Sequence, residues 1–172
     1  MNHFPDGVFT PSPTNPAEEQ FFKKAVQLIE KHEGFSPTPY RDTTGHWTVG
    51  FGTNLSAGLS REEAELLLKW ELKRDIEEAR KIFPEWESLP EPVRLAIVDM
   101  IYNLGVAGFL QFKKMIEAIH RRDWEEAARQ MEDSLWCRQV KTRCKELAQM
   151  VREVAQLSPE ELAFEGIPKN SG

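Results

Sequence analysis

Apolar residues recur along this chain at two different spacings, and the change of period divides it. Phe21, Phe22, Ala25, Val26, Leu28 and Ile29 fall at helical intervals, which predicts a helix with one apolar face. Ahead of it, Asn15 suits the cap, Pro16 the first helical position, and Glu18 the reciprocal capping position. Gly34 is the natural stop, because glycine takes the left-handed terminal conformation at little cost. Between residues 37 and 56 the period drops to two. Following Tyr40, the residues Trp47, Val49 and Phe51 alternate with His46, Thr48 and Gly50, as in a half-buried strand. Asp42-Thr43-Thr44-Gly45 is turn chemistry between extended pieces. The pattern predicts a hairpin or a small three-stranded sheet, and no other stretch carries a convincing β signal.

The helical period returns at Ser60 and runs to Phe83. Ser60 and Glu63 form a capping box, Ala64, Leu67, Leu68, Leu72 and Ile76 form the stripe, and Pro84 ends it. A further helix is predicted over 88–103, with Val93, Ile97, Met100 and Ile101 facing inward. "GVAGFLQF" then reads as a tight connection. Three more helices are predicted over 115–120, 124–135 and 140–154, and a short one from Ser158. These stripes, with Trp124 and Trp136, are assigned to core. The fold class is α+β, mainly α: a small lobe with a β-hairpin, a long linking helix and a helical C-terminal lobe. A cleft between two such lobes is a natural ligand site. Residues 1–14, rich in Pro, Ser and Thr, read as an extended arm, 15–164 as the folded domain and 165–172 as a tail.

Composition narrows the functional classes. The 172 residues are 40% hydrophobic and 29% charged with a net charge of −6. That is enough chain for a real core, and the acidic balance argues against a nucleic-acid partner. No secretory signal is read at the N-terminus, and no apolar run approaches the ~18 residues of a membrane span, so stable membrane insertion is not expected. Two cysteines, Cys137 and Cys144, stand seven apart. The favoured reading is two reduced thiols. One continuous helix would hold them about 10 Å apart, whereas an intervening turn would allow a bridge. No metal-ligand cluster or nucleotide fingerprint occurs, so no metal or organic cofactor is expected.

The candidate chemistry lies in two acids near the period change. Glu33 falls at a helix C-terminus, where the dipole disfavours an anion, and Phe35, Tyr40 and Trp47 stand close by. Partial desolvation there would raise its pKa toward that of a general acid. Asp42, in a turn rich in hydroxyls and backbone donors, is expected to stay ionised. Two carboxyls pushed apart in pKa are the signature of glycoside hydrolysis. Thr48, on the next strand, carries a hydroxyl able to orient a water.

The stretch "EGFSPTPYRDTTGHWTVGFGT" resembles the signature of the phage lysozymes, glycoside hydrolase family 24, which pairs E-G with Y-x-D-x-x-G-x-x-T-x-G-x-G. "VRLAIVDMIYNLGVAGF" is similar to the family's central helix. "RRDWEEAARQMEDSLW" with "TRCKEL" is similar to its C-terminal helices, so the resemblance covers about residues 17–156. It implies a lysozyme-like two-lobe fold and cleavage of the β-1,4 bond between N-acetylmuramic acid and N-acetylglucosamine in peptidoglycan, with inversion as the expected stereochemical course. Glu33 takes the proton-donor position, Asp42 that of the second carboxylate and Thr48 that of the threonine holding the attacking water. Arg143 matches an arginine that pairs with the catalytic Glu. Asn54, Tyr102, Gln130 and Phe112 match sugar-contacting positions. Thr53 departs from the pattern, standing where many relatives have His. The role implied is a monomeric phage or prophage endolysin, held in the host cytoplasm until a holin-like pore admits it to the periplasm. A virion-associated lysozyme and an inactive glycan-binding domain are the alternatives.

Overall fold

The computed structural model describes residues 16–157 and 160–161. The expected arm, the Asn15 cap, most of the last short helix and the tail lie outside these residues. The chain divides into two compact units, Met1–Leu68 and Lys69–Gly172.

In the first unit, α1 (Pro16–Glu33) leads into β1 (Ser36–Arg41), β2 (Trp47–Gly50) and β3 (Thr53–Asn54). The strands form one antiparallel sheet in the order β1-β2-β3. Tyr40 lies opposite Thr48, Arg41 opposite Trp47, Thr48 opposite Asn54 and Val49 opposite Thr53. A register irregularity interrupts the β1–β2 pairing between Ser36 and Tyr40. The sheet is therefore the three-stranded version of the expected hairpin.

Helix α2 (Arg61–Ile82) starts where the capping box predicts. The Ser60 amide donates to Glu63 Oε2 at 2.7 Å, and the Glu63 amide donates to Ser60 Oγ at 3.1 Å. Two otherwise orphaned donors are thus satisfied reciprocally. The apolar stripes of the first unit behave differently from expectation. Phe21, Phe22, Leu28 and Ile29 on α1, and Leu67 and Leu68 on α2, are exposed. Their period is helical, but three short strands offer too little apolar surface to cover them.

The second unit holds the core. It contains α3 (Glu91–Phe109), α4 (Lys113–His120), α5 (Trp124–Glu132), α6 (Leu135–Val140) and α7 (Thr142–Val154). Val93, Ile97, Met100 and Ile101 of α3 are buried as their spacing predicts, and so are Trp124 and Trp136. Phe83 and Phe109 meet edge to face, with centroids 6.2 Å apart, a favoured aromatic geometry. At 19 residues and a mean hydropathy of 1.2, α3 is long and apolar enough to satisfy a membrane-span criterion. This revises the expectation that no run approaches that length. Six of its residues are buried in the core. Gly105 (φ 70°, ψ 164°) kinks α3. The predicted connection beginning there continues in helical form to Phe109.

The cysteines correct the favoured reading. Cys137 and Cys144 form a disulfide, with Cα atoms 5.1 Å apart. Helix α6 stops at Val140 and Lys141 takes φ 46°, so the chain turns before α7 begins. A continuous helix would have kept the thiols apart. No glycine or proline marks this corner, so the period alone reads straight through it.

Removing the bridge should destabilise the protein. A loop of about seven residues confers about 2–3 kcal/mol on the chain-entropy account. The Cys137→Ser/Cys144→Ser variant, or reduction by dithiothreitol, should lower Tm by roughly 5–10 °C. Thermal circular dichroism checks this; an unchanged Tm would show that the corner holds without the bridge.

Candidate active site

The site in the first unit is assembled from three local decisions of the chain. Gly34, at φ 67°, ends α1, and its amide donates to the Glu30 carbonyl at 3.0 Å. Glu33 is left as the last residue of the helix and is exposed. Phe35, Tyr40 and Trp47 are exposed as well. Phe35 packs on Phe51, with centroids 5.3 Å apart, and Trp47 lies beneath the Arg41 guanidinium at 4.8 Å.

The second decision is the β1–β2 turn. The Asp42 amide donates to the His46 carbonyl at 2.9 Å, and the Gly45 amide to the Asp42 carbonyl at 3.0 Å. Gly45 adopts φ 85°, which a side chain would disfavour. The Asp42 carboxylate folds back onto this turn. Its Oδ1 accepts from the Thr44 amide at 2.9 Å, the Thr44 hydroxyl at 2.8 Å and the His46 amide at 2.8 Å. These bonds, the hydroxyl first, hold its pKa below the usual aspartate value, because they favour the charged form. Among the described residues no hydrogen bond ends on Oδ2.

The third decision is the β2–β3 turn. Gly52, at φ 82°, brings its backbone against Glu33. A Cβ built there would stand 2.7 Å from Oε2 and 2.9 Å from Cδ of that side chain. Only a residue without a side chain permits this approach. The hairpin thus touches the proton-donor candidate through Gly52 while its other turn carries Asp42.

Thr48, on β2, is 3% exposed, and its hydroxyl donates to the His46 carbonyl at 3.2 Å. Its lone pairs remain as acceptors. Asn54, opposite Thr48 in the sheet, uses Oδ1 to accept from the Ser56 amide at 2.9 Å, which leaves its NH2 as the group able to meet a ligand carbonyl.

The remaining predicted residues belong to the helical unit. Arg143 on α7 pairs with Asp99 on α3, Nε to Oδ1 at 2.6 Å. One turn further along α3, the Tyr102 hydroxyl bonds Glu71, and that carboxylate pushes the phenol pKa up. Phe112 and Gln130 line one groove of about 490 Å3, together with Ser134 and Trp136. Phe112 meets Trp136 edge to face with centroids 6.0 Å apart. The Trp136 indole donates to Asn103 Oδ1 at 2.8 Å. The Gln130 amide donates to Glu126 Oε1 at 2.8 Å.

Sequence reasoning overlooked Gly52, Thr44, His46 and Asp99. The Asp-x-Thr-Gly-His stretch did signal a side chain bonding its own turn, though only as turn chemistry.

An exposed Glu ending a helix, an ionised Asp in the adjoining hairpin and a buried Thr on its second strand, followed by a helical unit, define a lysozyme-like α+β protein. The Phage lysozyme family model matches residues 30–153, and the chain belongs to that family. It is 25% identical over 165 residues to the pre-baseplate central spike protein Gp5 of Enterobacteria phage T4, covering 79% of this chain and 29% of that one. It is 26% identical over 146 residues to probable T4-type lysozyme 1 of Dictyostelium discoideum, covering 67% of this chain and 86% of that protein. A SAR-endolysin of Enterobacteria phage P21 is 32% identical over 102 residues, covering 58% and 61% respectively. The chain thus spans less than a third of the T4 spike protein's length.

Proposed function

We propose that this protein is a muramidase that hydrolyses the β-1,4 bond between N-acetylmuramic acid and N-acetylglucosamine. The observation that carries the reading is the hairpin constellation: Glu33 held against Gly52, with Asp42 kept ionised through Oδ1. Glu33 protonates the glycosidic oxygen. Asp42, through Oδ2, accepts a proton from the attacking water or faces the developing positive charge on the sugar. Thr48 helps hold that water. An inverting course follows if water enters between the two carboxyls, which requires about 6.5–9.5 Å between them. For Arg143 the resemblance implies a supporting role, and the partner the helical unit gives it is Asp99. Asn54, Tyr102, Gln130 and Phe112 are assigned to sugar contacts, a role supported for the last two by their shared groove.

The biological role proposed is that of a monomeric endolysin, released through a holin-like pore from the host cytoplasm and acting on the wall in the periplasm. The Cys137–Cys144 disulfide is in keeping with an oxidising site of action. Similarity to the T4 spike protein favours a second reading, in which the chain acts as part of the virion. Detection of the chain in purified particles separates the two.

The test is loss of turbidity of purified Gram-negative peptidoglycan with wild type, Glu33→Gln and Asp42→Asn. Clearing by wild type and failure of both folded variants supports the reading. Wild-type binding without clearing would replace it with a glycan-binding domain. Product mass completes the assignment: hydrolysis leaves a reducing end, whereas a lytic transglycosylase leaves an anhydro sugar one water lighter. Proton NMR of the first product then reports inversion or retention.

A further inference from the structure

Asp42 is held by more than its backbone turn. The Thr44 hydroxyl lies 2.8 Å from Asp42 Oδ1 and 2.7 Å from His46 Nδ1. His46 Nδ1 lies 4.0 Å from Asp42 Oδ2. The imidazole therefore stands behind the hydroxyl rather than on the carboxylate. Arg41, also charged and beside this turn, donates from Nη1 to the Gly45 carbonyl at 2.9 Å and lies over the Trp47 ring.

A hydroxyl carries one hydrogen. If Thr44 gives it to Asp42, the lone pairs of Oγ1 face His46, and Nδ1 must carry a hydrogen of its own. If Nδ1 is bare, it competes for the Thr44 hydrogen, and the hydroxyl turns its lone pairs toward the carboxylate. Only the first arrangement satisfies all three groups. It also concentrates the donors on Oδ1 and leaves Oδ2 as the oxygen free to accept a proton.

We propose that Thr44 and His46 are positioning residues for Asp42, forming a relay from His46 Nδ1–H to Thr44 Oγ1–H to Asp42 Oδ1. The relay fixes the carboxylate rotamer, holds it ionised and presents Oδ2 to the water. This inference rests on Asp42 acting as the second carboxylate of the proposed muramidase.

The sign of the expected pH effect follows directly. Asp42 works as the anion, so activity is lost as pH falls through its folded pKa. Removing a donor from Oδ1 raises that pKa, and the acid limb of the kcat/KM profile moves to higher pH. Thr44→Val should move the limb up by about one pH unit, a tenfold change in the protonation equilibrium. Thr44→Ser keeps the hydroxyl and should keep the limb in place. His46→Phe should move it in the same direction as Thr44→Val. His46→Asn, whose amide nitrogen reaches the place of Nδ1, should restore it.

The profiles are read on purified peptidoglycan beside Asp42→Asn. An unmoved limb in both Thr44→Val and His46→Phe, with Asp42→Asn inactive, overturns the relay and leaves the catalytic assignment standing. Full activity in Asp42→Asn overturns that assignment and the relay with it. If Thr44→Val does not fold, the His46→Phe and His46→Asn pair carries the same comparison.

Discussion

Replacing Glu33 with Gln should lower kcat on peptidoglycan by about 10³-fold, within the range that general-acid groups supply, and leave the fold intact. The two side chains are nearly isosteric, and Glu33 is exposed at the last position of α1. The amide removes the transferable proton without opening a cavity. Carboxylates at helix C-termini are disfavoured by the aligned peptide dipoles, so the variant should melt at the same temperature or slightly higher. Activity and stability are then expected to move in opposite directions, as at a site selected for chemistry. Turbidity clearing and a melting curve on the same preparation check both halves. A Glu33→Gln protein that clears at the wild-type rate would move proton donation to another residue.

Gly52→Val should cost roughly a hundredfold in kcat, the order expected when a reacting group is displaced by about an ångström. A side chain at this position enters the space of the Glu33 carboxyl, 2.7 Å from Oε2. The flexible end of Glu33 yields more readily than the backbone of the β2–β3 turn, so the carboxyl swings away and the sheet persists. The positive φ of 82° adds a backbone penalty of about 1–2 kcal/mol for a residue with a Cβ. Gly52→Ala should lie between wild type and Val in rate. Steady-state kinetics with thermal melting separate the two effects: a folded Gly52→Val protein with unchanged kcat would show that the close approach does not position the acid.

Glycine at 52 has a second consequence for reading sequences. Its place in "GFGT" announces a turn, and nothing local announces that the turn leans on a carboxylate nineteen residues earlier. Likewise the period of 21–29 announces a helix without announcing whether its apolar face is covered, and in the structure Phe21 and Phe22 remain exposed. The same limit separates Arg143 from Asp99, 44 residues apart and 2.6 Å from each other.

What the sequence determined by itself was local. Ser60 and Glu63 cap α2, Gly34 stops α1 beside Glu33, and the two-residue period with an Asp-Thr-Thr-Gly turn makes the sheet that carries Asp42 and Thr48. Each depends on residues within a few positions of one another, where backbone preference and side-chain reach suffice. The resemblance to a family then named the acids. Tertiary structure alone decided the disulfide across the Lys141 corner, the continuation of α3 beyond Gly105 and the press of Gly52 on Glu33. Those outcomes depend on a single backbone angle or on surfaces brought together from distant parts of the chain, and neither is encoded in a local period.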